Sequence, residues 1–220
     1  MKIPLTEVLV NGERYQLKQT IRNLGVFLDS QMKFSDHIDR ICRSSYANLR
    51  MLHALRTSLK NGDLAILAHA LVLSRIEFAP AVLYGVDDKQ LKKLQRVIKA
   101  TFRLCYRFKK YDNISEEMKR CGWLSIKERI SMRFLLILHT IVTYKEPHYL
   151  WKLIQFTSSD RNLRSQSRGE LVVHGSRTSV GSRAFVVAAP KIWSLINVDT
   201  RNIRKHDSFH SEIKKLLLNV

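Results

Sequence analysis

A switch near residue 35, from short alternating segments to apolar residues recurring every three or four positions, constrains this chain most. The two periods require different backbones. From Ser35 onward, Ile38, Ile41, Cys42, Tyr46, Leu49 and Leu52 fall on one helical face, and Ser35 is expected to cap that helix. Asn61-Gly62-Asp63 breaks the pattern, and Leu64–Tyr84 predicts a second apolar helix, kinked near Pro80. Asp87-Asp88 opens a third, running from Lys89 to about Arg107. Ser115 begins a short helix that stops near Cys121-Gly122. Ser125 begins a longer one with Ile130, Phe134, Ile137, Leu138 and Ile141 on one face, and Pro147 starts a short turn through Trp151 and Leu153.

Before the switch the chain reads as β. Val8-Leu9-Val10 and Tyr15–Leu17 flank Asn11-Gly12, whose positive φ angles suit a tight hairpin turn. Asn23 to Leu28 predicts a further strand, ended by Asp29-Ser30. Three strands with an open edge are marginal alone, so this beginning is expected to be the edge of something larger. Residues 157–183 are rich in Ser, Arg and Gly, with a short β pair expected at Leu171–His174 and Ala184–Val187. Pro190 fits the first turn of a helix through Trp193, and His206–Leu218 predicts a closing helix. The fold class expected is mainly α, with β segments at 1–34, a helical domain at 35–156 and a loop-rich segment at 157–220 carrying the β pair and the last helices.

Charge narrows the partners. Thirty-eight Lys+Arg against nineteen Asp+Glu leave a formal charge of +19. Such an excess repels itself and calls for a polyanion or a neutralising neighbour, nucleic acid first and anionic membrane second. Cys42, Cys105 and Cys121 are odd in number and far apart, so they form neither a disulfide framework nor a metal clamp. Reduced, packed thiols are expected, which suits a cytoplasmic or nuclear setting. The first residues lack a long apolar stretch, so no secretory signal is expected. The greasiest runs, Leu64–Leu73 and Phe134–Val142, fall short of the roughly 20 residues of a membrane span, and a soluble chain is expected.

The basic residues are most ordered between Lys89 and Tyr111, with nine cations and no acid. Lys89, Lys92, Arg96, Lys99, Arg103 and Arg107 step by three or four along one helical face, roughly 27 Å long at about 1.5 Å per residue. Leu91, Leu94, Ile98 and Cys105 fall on another face. A row of this length matches phosphates better than a small ligand, and the interleaved Phe102, Tyr106, Phe108 and Tyr111 suit base stacking where exposed. Lys110 extends the candidate site. Set against this, a charged helix face is usually only solvated. A basic amphipathic helix can also lie on anionic lipid, although an inserting Phe/Trp face is weak here. Arg161, Arg164, Arg168, Arg177 and Arg183 form a second group, whose composition serves phosphate contact and a mobile loop equally well.

No catalytic constellation emerges. Polymerases hold two Mg²⁺ ions on paired carboxylates in a tight β-turn. Asp87-Asp88 instead opens a helix, with two residues between Tyr84 and the pair where a polymerase has one between aromatic and Asp, and capping explains it. His206 and His210 have zinc-compatible spacing without a distinctive third ligand. Phosphate-binding glycine loops, nucleophile elbows and HExxH are missing. No catalytic residue, metal or small-molecule substrate is expected. A helical protein-interaction module, docking through a helix such as Arg129–Tyr144, is the rival to nucleic-acid binding.

The phrase Asn23-Leu24-Gly25-Val26-Phe27-Leu28-Asp29, followed by Phe34-Ser35-Asp36-His37-Ile38, resembles the strand and first thumb helix after the catalytic palm of LINE-type, jockey-like non-LTR retrotransposon reverse transcriptases. The likeness continues in order through Leu71 to Phe78, Leu83-Tyr84-Gly85, Leu94-Gln95-Arg96-Val97, Trp123 to Arg129, Ala184 to Trp193 and Asp207-Ser208-Phe209, from about residue 8 to the end. The resemblance implies a palm remnant at 1–34, a thumb and post-thumb domain at 35–156, and a part that holds template RNA or RNA–DNA duplex. In that family the metal-binding palm strand and an endonuclease lie upstream. Mg²⁺ would belong to that catalytic part, and its carboxylates carry over to no residue here. The C-terminal Cys/His knuckle of some relatives is also missing.

Overall fold

Two antiparallel hairpins precede the helices in a computed structural model that describes residues 7–157 and 169–218. Strands β1 (Glu7–Val10) and β2 (Glu13–Gln16) pair through Asn11-Gly12, both at positive φ, as the Asn-Gly signal predicts. Strands β3 (Thr20–Asn23) and β4 (Val26–Asp29) form a separate two-stranded sheet. The single strand expected from Asn23 to Leu28 is thus two, divided by Leu24-Gly25 at φ 45° and 90°. A side chain on Gly25 would also collide with the Phe78 ring. Only Val26 of β4 is buried, with Leu28 packed beside the core, so the β segments add little to the interior.

Helices dominate from there on: the described residues are 58% helix against 9% strand, which makes the fold mainly α. Helix α1 spans Ser35–Leu55 and buries Ile38, Ile41, Leu49 and Leu52. Its cap differs from expectation. Ser35 lies inside the first turn, where its hydroxyl accepts from Gln90, while the Asp29 carboxylate accepts the backbone N–H groups of Gln31, Lys33 and Phe34. The Asp29 carboxylate therefore fixes the turn that leads into α1, and among the described residues no side chain caps the helix itself. The predicted helix over Leu64–Tyr84 is broken up. Helix α2 (Asn61–Ala68) passes through a π turn at His69–Leu73 into the short α3 (Ser74–Ile76). Ala79 at φ 48° then ends the run before a 3₁₀ turn at Pro80–Leu83. Proline disfavours the α region for the residue before it, which replaces a kink by a break.

Helix α4 (Asp88–Tyr106) lies parallel to α1: Gln90 meets Ser35, and Lys93 meets Asp39. Helix α5 (Ser115–Arg120) ends at Gly122, φ 69°. Helix α6 (Ile126–Tyr144) begins with a reciprocal Ser125–Glu128 capping box. It buries Ile126, Ile130, Phe134, Leu135, Leu136, Leu138, His139 and Ile141, a spread covering most of its circumference. Such a helix is central rather than one-faced, although Ile137, expected inside, is 40% exposed. Helix α7 (His148–Trp151) follows Pro147.

In the C-terminal segment the predicted second strand, Ala184–Val187, instead opens helix α8 (Phe185–Trp193), with Pro190 inside it rather than in its first turn. Here Val187, Ala188, Ala189, Ile192 and Trp193 are buried together, and this helical burial overrides the β-branched pair Val186-Val187. The other expected strand survives as one bridge, Leu171 to Phe156. Helices α9 (Val198–Arg201) and α10 (His206–Leu218) complete the chain. One apolar cluster runs from Val26 to Ile130. A second joins Phe134, Leu138, Leu171, Trp193, Phe209 and Ile213, so α6 serves both.

Candidate nucleic-acid interface

Asp87 fixes where α4 begins, its carboxylate accepting the Lys89 backbone N–H, and Asp88 pairs with Lys127 of α6 at 2.8 Å. This pair is therefore used as a cap and a cross-link. The Lys127 contact holds the Asp88 carboxyl below its ordinary range. Leu91, Leu94, Val97, Ile98, Thr101, Phe102, Leu104 and Cys105 turn inward. At 100° per residue they occupy one side of the helix, and the basic row occupies the opposite side.

Lys89, Lys92 and Arg96 are exposed and Lys99 is half-buried, and none of the four forms an ion pair among the described residues. Four neighbouring cations are engaged differently. Lys93 bonds Asp39 at 2.6 Å, and Arg103 donates to the carbonyls of Lys109 and Asp112. Arg107, in the left-handed region at φ 60°, ends the helix. Lys110 lies 5.4 Å from the Tyr111 ring. The expected six-cation row is therefore an open set of four, followed by an arginine that ties down the next loop.

The interleaved aromatics also divide. Phe102 is fully buried and stacks with Tyr106 and Phe108 at 4.4 and 5.7 Å, which removes Phe102 from base contact. Tyr111 is 89% exposed.

Parallel packing places a second row alongside. Arg43, Tyr46, Arg50 and His53 of α1 are exposed and spaced by three or four. Tyr46, Leu49, Arg50 and His53 line a groove of about 340 Å³ whose other wall is Ala100 and Leu104 of α4. Burial, helped by the Cys42 thiol and opposed by Arg96, keeps the Tyr46 hydroxyl protonated above its ordinary range. Arg43 and Arg50 form no ion pair among the described residues. The α1 cations have the same stepped spacing as α4, but Asp36 and Asp39 at the start of α1 obscure it, and no sequence feature brings the two helices side by side.

The remaining candidates fare variously. Arg161, Arg164 and Arg168 lie outside the described residues. Arg177 is exposed, whereas Arg183 donates to the Met32 carbonyl at 2.8 Å and lays its stem over Gly85, a role in packing. Of the three free cysteines, burial pushes Cys42 and Cys105 up to about 11, and Cys121 is exposed rather than packed. Among the described residues no three His, Cys, Asp or Glu side chains converge as a metal would need. No described helix is long and apolar enough to cross a membrane. No family model, no curated protein and no solved structure matches the chain.

Proposed function

We propose that this chain is the thumb-like, strand-holding region of a non-LTR retrotransposon reverse transcriptase, and that it binds template RNA or RNA–DNA duplex without sequence choice, in the cytoplasm or nucleus. The ordered phrases from Asn23 to Phe209 support the ancestry. The observation that carries the binding role is the open cation row of α4 beside Arg43 and Arg50 of α1. Phosphates are a regular polyanion, and an A-form helix adds 2′-hydroxyls, so recognition rests on shape and charge. The role is holding a strand; Mg²⁺-dependent chemistry belongs to other segments of such an enzyme.

The test is fluorescence anisotropy with labelled RNA and RNA–DNA hybrid across a salt series. Arg96→Glu/Lys99→Glu weakens binding equally for unrelated sequences, and the slope of log affinity against log salt falls by about two. Parent-like binding by that variant, or negligible RNA binding by the parent at moderate salt, removes the proposal in favour of a protein-docking module.

A further inference from the structure

We propose that the cleft where α6 and α10 face the α2–α3 segment is a binding site for a nucleoside phosphate. The site lies apart from the α1–α4 face and uses none of its cations. Its volume is about 630 Å³, within the roughly 300–1,000 Å³ typical of small-molecule sites. One wall is cationic. Arg133 of α6 and Lys214 of α10 are exposed and form no ion pair among the described residues. The Lys214 ammonium reaches across the cleft, to 3.8 Å from where a Cβ on Gly122 would stand. His206 and His210 lie on the same side, with Asp207 3.7 Å from His206.

The acid facing this wall is already matched. Glu77 pairs with Arg129, which also donates to the Leu124 carbonyl, and His69 lies 3.6 Å from Glu77. Two cations are thereby left to face the opening, a complement to a phosphate dianion. The opposite character lines the floor, where Leu73, Pro80, Met132 and Leu136 are apolar and Tyr106 and Trp123 meet edge to face at 6.2 Å. A bare phosphate would leave that floor wet. A ligand with a planar, apolar body and a phosphorylated end covers both parts, and aromatic side chains with nearby arginine are suited to bases. Such a ligand is a free nucleotide or the phosphorylated end of a strand.

Isothermal titration of the full chain with adenosine monophosphate tests the site, with adenosine as the control lacking phosphate. The expected result is one saturable site, at least tenfold weaker for adenosine. Arg133→Glu/Lys214→Glu should bind at least tenfold more weakly than the parent, and Arg96→Glu/Lys99→Glu should be unchanged. Both altered residues of the first variant are exposed, and an unchanged far-ultraviolet circular dichroism spectrum confirms its fold. In the unaltered chain, nucleotide-dependent NMR shifts at the Trp123 indole N–H and the His210 ring locate the ligand without any variant. A 5′-phosphorylated tetranucleotide that binds more tightly than the mononucleotide marks a strand end as the source; equal or weaker binding marks a free nucleotide. No saturation with the mononucleotide, equal binding of adenosine, parent-like binding by the Arg133/Lys214 variant, or shifts confined to α1 and α4 would each overturn the site. Because the α4 variant is read separately, failure here and failure of the strand-holding role give different patterns.

Discussion

His139 is fully buried, its Nε2 donating to the Ile203 carbonyl at 2.6 Å and its ring stacked on Phe209 at 4.1 Å. Since Nε2 faces a carbonyl it carries the proton, which leaves Nδ1 as an acceptor with no partner among the described residues. Protonating Nδ1 would place a charge in the interior. Burial accordingly lowers the His139 pKa, with His206 adding to the effect and the Ile203 carbonyl opposing it. His37, enclosed near Phe27, is lowered by burial in the same way, against the opposing charge of Asp36. The folded state favours neutral rings at both positions. Their contribution to stability is complete above the free imidazole pKa of about 6.5 and is lost as pH falls below it, through the lower folded values. Urea unfolding at pH 5.0 should therefore show lower stability than at pH 7.5, and His139→Asn, which keeps a donor for Ile203, should flatten that dependence. A second residue-scale prediction concerns Glu77. Glu77→Ala leaves the Arg129 guanidinium, 13% exposed, without its counter-ion. The expected loss lies near the lower end of the about 3–5 kcal/mol seen when one partner of a buried pair is removed, and urea melts read it directly.

Helices α1 and α4 differ in how far their sequences reveal them. The row on α4 is legible because the cations and the apolar residues keep the same 3.6-residue period on opposite sides, and no acid interrupts it. The fate of Lys93 and Arg103 is not legible, because Asp39 and the Lys109–Asp112 loop that engage them reach α4 only through tertiary packing and a chain reversal. The neighbouring α1 row is hidden for the same reason. Local choices also mislead at element ends. Ser35 is a good cap residue, but the helix takes it into its first turn, where it bonds Gln90, and Asp29 instead holds the turn just before the helix. Leu24 adopts a positive φ that an apolar residue rarely takes, and a strand becomes a hairpin. The pairing of the two helices makes its own prediction. Arg43→Glu/Arg50→Glu should weaken RNA binding about tenfold and lower the salt slope by about two, as anisotropy would show. If only the α4 variant loses affinity, α1 is a support and not part of the binding face.

Across the whole molecule, the charge excess and the helical majority were readable in advance, whereas the organisation of the interior was not. Ser, Arg and Gly between residues 157 and 183 suggest a loop-rich appendage, yet the segment after it supplies Ala188, Ala189, Ile192, Trp193, Phe209 and Ile213 to a second apolar cluster. What joins the two clusters is α6, with Ile126 and Ile130 in one and Phe134, Leu135 and Leu138 in the other. The rings of Tyr84 and Phe134, 4.8 Å apart, and of Phe134 and Phe185, 6.0 Å apart, continue the contact across the junction. Opening the second cluster would expose half of a helix whose other half is still packed, and it would strip Tyr84 of its cover. Helices lose stability when their buried face is lost, because propagation alone holds a short helix poorly in water. The two clusters should therefore unfold as one unit. Phe209→Ala, which empties a fully buried site beside Trp193 and His139, should cost about 3–5 kcal/mol. With a urea dependence of about 1–3 kcal/mol per molar, that loss moves the midpoint down by roughly 1–5 M. Tryptophan fluorescence, which senses Trp193 in the second cluster and Trp123 against the first, should give a single transition for parent and variant alike. A two-step curve in Phe209→Ala, with far-ultraviolet dichroism lagging the first step, would mean that the residue 26–130 cluster stands without the second and that α6 is a tether between independent parts.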